Sequence, residues 1–182
     1  MCNEFRFENS LTDILAAFSQ LEMPLTWAGG APNVEPRASI RPTDPAYLLT
    51  GLDGGAHLSQ LRWGFPGPRG PIINFRSEGR TFGRGRCLVP ASGFFEFTGA
   101  KAPKSKWSFE AADGGFLAIA GLIRDDRFTL LTGEPGPDIA PYHHRQIVIL
   151  PRRDWAAWLD TSRPAPSFSP LPAGSLKVVQ IR

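Results

Sequence analysis

Hydrophobic positions along the chain repeat with two different periods. Near the start, Leu11, Ile14, Leu15, Phe18 and Leu21 recur at the 3.6-residue spacing of one helix face. Ser10 stands before them as an N-cap, and Asp13, three positions later, completes a capping box. A shorter helix is predicted over 154–159, where Trp155, Trp158 and Leu159 share a face and Pro164 follows. Elsewhere the pattern is short and strand-like, at 46–49, 57–63, 72–75, 87–89, 93–97, 107–110, 116–122, 128–132, 147–150 and 176–181. Turn clusters such as "PGPRGP", "DGG" and "GEPGP" punctuate these runs. Many short strands with two helices predict an α+β fold, a compact β-rich single domain over 1–182 built around a sheet or barrel. The proline-rich piece 163–174 reads as an extended connector into the final strand.

Composition agrees with this picture. A chain of 182 residues with 42% hydrophobic content is ample for one apolar core, and 19 glycines with 18 prolines favour turns over long helices. The formal charge of +3 is modest, but Arg76, Arg80, Arg84 and Arg86 are crowded together, with Lys101, Lys104 and Lys106 soon after. That local density points toward a polyanion more than the net value does. No run approaches the roughly 20 apolar residues of a membrane span, and no basic-then-apolar leader is present, so the expected compartment is the cytoplasm. There the two cysteines, Cys2 and Cys87, are expected as free thiols.

Cys2 is the first candidate for chemistry. Removal of Met1 would leave an α-amine, pKa about 7.7–8.0, beside a thiol near about 8.5. An amine and a thiol in this 1,2 relation condense with an aldehyde to an imine and then a thiazolidine. His143 and His144 precede an apolar strand in "APYHHRQIVILP", a sheet-rim position suited to acid–base groups; on a strand, alternation lets only one of them face a given site. Glu96, among Phe94, Phe95 and Phe97, either faces solvent or is buried with a raised pKa. Asn74, Arg76 and Glu78 share one face of an extended segment and suit a polar or phosphorylated ligand. Trp63 is placed either to stack on a base or to pack in the core. Cysteine and histidine spacing fits no zinc site, and no phosphate-binding glycine loop occurs, so neither metal nor cofactor is expected.

Met-Cys at the start, then "IRPT" (40–43), "LRWGFP" (61–66), "NFRSE" (74–78), "RCLVPASGFFEF" (86–97), "AIAGLI" (118–123) and "HHRQIVIL" (143–150), in that order, resemble the SOS response-associated peptidase (SRAP) family. The resemblance implies a β-rich fold with a basic DNA cleft, acting as a cytoplasmic, nucleoid-associated monomer on damaged DNA. It implies covalent capture of abasic sites in single-stranded DNA as a thiazolidine on Cys2. In that scheme Asn74 positions the Cys2 amine, Glu96 and His143 move protons, Arg76, Arg84, Arg86 and Arg145 meet phosphates, and Trp63 packs against a base. Cys2 with His143 and Glu96 as a peptidase or autopeptidase, or a non-covalent single-strand binder, are the other readings. The family's usual Gly-Arg after the cysteine is Asn3-Glu4 here, and a glutamate there repels phosphate unless an arginine such as Arg145 pairs with it.

Overall fold

The structure, a computed structural model, describes residues 2–182, so the expected removal of Met1 falls outside the described residues. The capping signal forms as the pattern predicts. Helix α1 (Leu11–Ser19) starts at Ser10, whose Oγ accepts the Asp13 N–H at 3.2 Å while an Asp13 carboxylate oxygen accepts the Ser10 N–H at 2.7 Å. Helix α2 (Trp155–Leu159) is a single turn entered through a 3-10 segment at Arg152–Asp154. Neither helix is long and apolar enough to cross a membrane.

Thirteen strands make up most of the rest: β1 (Phe5–Phe7), β2 (Leu25–Trp27), β3 (Arg37–Ile40), β4 (Pro45–Leu52), β5 (Gly55–Trp63), β6 (Asn74–Arg76), β7 (Arg86–Ala91), β8 (Gly93–Thr98), β9 (Ser105–Ala111), β10 (Leu117–Arg124), β11 (Arg127–Gly133), β12 (Gln146–Ile147) and β13 (Leu176–Gln180). Strands β11, β10, β7, β4 and β5 are neighbours in that order, and a parallel pairing of Phe128 with Trp63 joins β11 back to β5. This closes a small barrel and removes its exposed edges. Strand β6 lies parallel to β11, with Asn74 opposite Leu130 and Arg76 opposite Thr132. A second sheet runs β13-β9-β8-β1-β3.

The two sheets share one stretch of chain, because β7 passes into β8 with only Ser92 between them. Ser92 is pinned there: its N–H donates to the Arg6 carbonyl, and its Oγ accepts from Glu8 N–H and donates to Asn9 Oδ1. Gly93 is needed at the crossing, since a Cβ would stand 2.8 Å from the Phe109 carbonyl oxygen. One continuous apolar cluster then runs through both sheets, with Phe5, Phe94, Phe109, Trp63 and Leu130 all fully buried in it. The connector over 163–174 is extended and packs back on this core, Phe168 lying 5.3 Å from Trp158.

Candidate active site at the seam of the two sheets

Cys2 leads into β1 and is 1% exposed; its Sγ–H donates to the Glu4 carbonyl at 3.4 Å. Asn74, at the start of β6 on the barrel, reaches across the seam and donates from Nδ2 to the Cys2 carbonyl at 2.8 Å. Its Oδ1 is buried with no hydrogen-bond partner among the described residues, leaving an amide acceptor beside Cys2. Burial raises the Cys2 thiol pKa, and the charge of Glu96 raises it further, so the thiol stays protonated in this environment. Glu96 comes from β8, is 1% exposed, and is pushed by burial up to about 7. Of the two sequence alternatives for this residue, burial is the one realised.

His143 joins from a turn, where its N–H donates to the Ile139 carbonyl at 3.0 Å. The alternation expected for the pair does not apply, because β12 begins only at Gln146 and the His143 and His144 rings stack, 4.5 Å apart. Nδ1 of His143 accepts the Arg145 N–H at 3.0 Å and also lies 3.0 Å from the Arg145 carbonyl. Neutral imidazole can accept from the first and imidazolium can donate to the second, so both protonation states are served locally. Burial, helped by His144 and Arg145, holds this imidazole below its usual range. Tyr142 packs on Trp107 at 4.6 Å, and Trp107 pairs with Glu96 across β8 and β9, which ties the histidine turn to the carboxylate's strand.

Several residues expected at a DNA surface are placed elsewhere. Trp63 is fully buried edge-on to Phe5 at 5.1 Å, with its indole N–H on the Ile73 carbonyl, so it packs the core and offers no face to a base. Arg86 is 1% exposed and donates to the Asp160 and Arg163 carbonyls, capping the end of α2 instead of reaching phosphate. Arg145 is held by Glu78 through two hydrogen bonds of 2.7 and 2.9 Å, with Nη2 also on Thr132, so its guanidinium braces the His143 turn. Arg76 and Arg84 are exposed as a phosphate contact requires.

The partner of Glu4 is Lys106, not Arg145. Lys106 Nζ lies 2.8 Å from the Glu4 carboxylate, which also accepts from Ser39 at 2.9 Å, and 3.9 Å from the Phe95 ring centroid. Glu4 is 6% exposed, and these hydrogen bonds hold its carboxyl below the ordinary range against the cost of burial. Lys106 has a faint sequence signal, an alternate position in "SKWSFE" facing two phenylalanines, but nothing there tells which acid it meets. Lys106→Ala leaves a buried carboxylate unpaired and is expected to cost about 3 kcal/mol in urea denaturation. Adding Glu4→Gln should restore most of that, and a double variant no better than Lys106→Ala would show the pair to be unimportant.

Fold and site can now be set beside known proteins. A family model described as SOS response associated peptidase (SRAP) matches residues 1–181. The chain belongs to this family. It is similar to two proteins of Bacillus subtilis (strain 168). Abasic site processing protein YobE is 24% identical, over 92% of this chain and 86% of that one, and abasic site processing protein YoaM is 23% identical, over 92% and 83%. The SRAP fold itself is matched by a crystal structure from Bordetella bronchiseptica at TM-score 0.74, 21% identity and full coverage of both chains. A Bacteroides thetaiotaomicron structure matches at TM-score 0.72 and 16% identity, over 100% of this chain and 92% of that one. In this SRAP chain the described residues hold no group of three or more His, Cys, Asp or Glu placed for a metal ion, and both cysteines are free.

Proposed function

We propose that this chain processes abasic sites in DNA, and that it does so in single strands by forming a thiazolidine between Cys2 and the ring-opened deoxyribose. The observation that carries the reading is the meeting of Cys2, the Asn74 amide and a buried Glu96 carboxyl that titrates near neutrality. The names of the Bacillus relatives supply the lesion.

Hydrolysis of the Met1–Cys2 bond frees the α-amine. The amine nitrogen attacks the C1′ aldehyde to give a carbinolamine, whose hydroxyl leaves as water with a proton from Glu96, forming an imine. Sulfur then adds to the imine carbon; the thiol proton is taken up by a base and a proton reaches the imine nitrogen. One C–N and one C–S bond replace the carbonyl, and one water is lost. Asn74 fixes the Cys2 carbonyl so that amine and sulfur stay on one side of the aldehyde. His143, switching its Nδ1 partner on the Arg145 backbone, takes and returns protons, while Arg76 and Arg84 hold flanking phosphates. Such a protein works in the cytoplasm, at the nucleoid when DNA is damaged.

Intact mass after incubation with abasic single-stranded DNA tests this directly. The expected species is protein lacking Met1 plus DNA less one water, stable to denaturation. Protein with Met1 confirmed absent and no such species would overturn the covalent reading, and retained salt-sensitive binding would then favour a simple single-strand binder.

A further inference from the structure

A cavity of about 770 Å³ opens beside the candidate site, between the segment after β6, the ends of β11 and β12, and the extended connector. Its size lies within the usual range of small-ligand pockets, roughly 300–1,000 Å³. Phe82 and Phe168, with rings 6.1 Å apart, supply apolar wall, and Glu78 and Glu134 stand at the lining with Arg80 and Arg163. Two carboxylates against two guanidiniums leave the lining without net charge, so it suits a neutral body more than a phosphate. Glu78, kept ionised by the Arg145 guanidinium that bonds both of its oxygens, can only accept hydrogen bonds, so the occupant must present a donor toward its remaining lone pairs, as an amino group does.

The cavity also continues the path of the candidate site. Asn74 holds Cys2, Arg76 is exposed two residues on, and Ser77 and Glu78 already form cavity wall. At strand spacing, Asn74 to Ser77 is roughly 10 Å, the span of about three stacked nucleotides, and the turn at Glu78 begins there. We propose that the cavity takes an unstacked base bearing an exocyclic amino group, and rejects thymine, from the strand whose lesion lies at Cys2; this rests on the single-strand reading above. Adenine, cytosine and guanine each offer an exocyclic amino group at an open edge of the ring, whereas the one donor of thymine, N3–H, lies between two carbonyl oxygens that would both face the carboxylates. The Phe82 and Phe168 walls supply the apolar contact that replaces base stacking.

Two glycines allow the cavity to be filled without touching the reacting groups. A Cβ on Gly133 meets only Ser77 Oγ at 3.6 Å and Val148 Cγ2 at 3.8 Å, and one on Gly83 meets nothing within 4 Å. Fluorescence anisotropy with lesion-free oligo(dC) and oligo(dT) reads the cavity separately from the reaction. Wild-type protein is expected to bind oligo(dC) about tenfold more tightly than oligo(dT), and Gly133→Leu and Gly83→Trp should each erase that difference. Cross-linking to a lesion flanked only by thymines should be unchanged in both variants. Equal affinity for the two strands, or a preference that survives both filled cavities, would overturn the proposal. Absence of any cross-link bears on the covalent reading instead, and leaves this comparison of lesion-free strands intact.

Discussion

Replacing Cys2 with alanine is expected to abolish the denaturation-stable adduct with abasic DNA altogether, and replacement with serine should separate the two halves of the reaction. Serine keeps the α-amine where Asn74 fixes the backbone, so imine formation should persist and be trapped by borohydride. Its hydroxyl is a far weaker nucleophile than sulfur and closes the ring poorly, so without borohydride the serine adduct should be lost on denaturation. Cys87 offers an internal control. It is likewise free and fully buried, with a thiol pKa raised by burial, but it lies mid-strand in the barrel wall with no free amine beside it. Cys87→Ala should leave the adduct untouched, and mass spectrometry of the three variants distinguishes these outcomes in one experiment.

Glu96→Gln is expected to move stability and reactivity in opposite directions. The folded carboxyl is raised from about 4.5 to about 7 because burial disfavours its charge. Below pH 4.5 it is protonated in both folded and unfolded chains and contributes no pH dependence. Between 4.5 and 7 the unfolded chain releases this proton while the folded one retains it, so wild-type stability falls with rising pH by about 1.4 kcal/mol per unit, on the order of 3 kcal/mol in all. Glutamine carries no proton to lose. The variant should therefore match wild type near pH 4 and exceed it by up to about 3 kcal/mol at pH 8 in urea titrations. Its single-turnover cross-linking should be slower by about a hundredfold or more, the usual contribution of a positioned proton donor. Lower stability of Glu96→Gln at pH 8 would mean that the native carboxyl is ionised and held by a cation, contrary to its assignment as a proton donor.

The predicted α+β architecture and most of its strands were legible because their signals are local. The capping box at Ser10 and Asp13 and the apolar runs of β4, β5, β7, β10 and β11 need no distant partner to be read. Strands β1, β2 and β3 carry no such local signal, because each is only three or four residues long and gains its meaning from pairing: Phe5 and Phe7 look like a fragment until β8 and β3 lie on either side. Among the site residues, Cys2, Asn74, Glu96 and His143 stand out by type and motif, and the fold places the Asn74 amide on the Cys2 carbonyl. The arginines were harder, because their role depends on which carbonyl or carboxylate the fold brings within reach. Arg86 meets the end of a helix seventy-odd residues away, and Arg145 meets Glu78, contacts that no spacing rule anticipates.

The passage of β7 into β8 through Ser92 ties the chemistry to the cooperativity of the whole molecule. Glu96 lies on the second-sheet half of a strand whose first half is barrel wall, and Cys2 is bonded by Asn74 back to the barrel. Neither sheet can fray from the other without tearing a strand that belongs to both. Both sheets therefore resist any separation at the seam, and the amides of the strand that carries Glu96 are expected among the slowest-exchanging in the protein, while the lesion reaches the carboxylate from the side of Cys2.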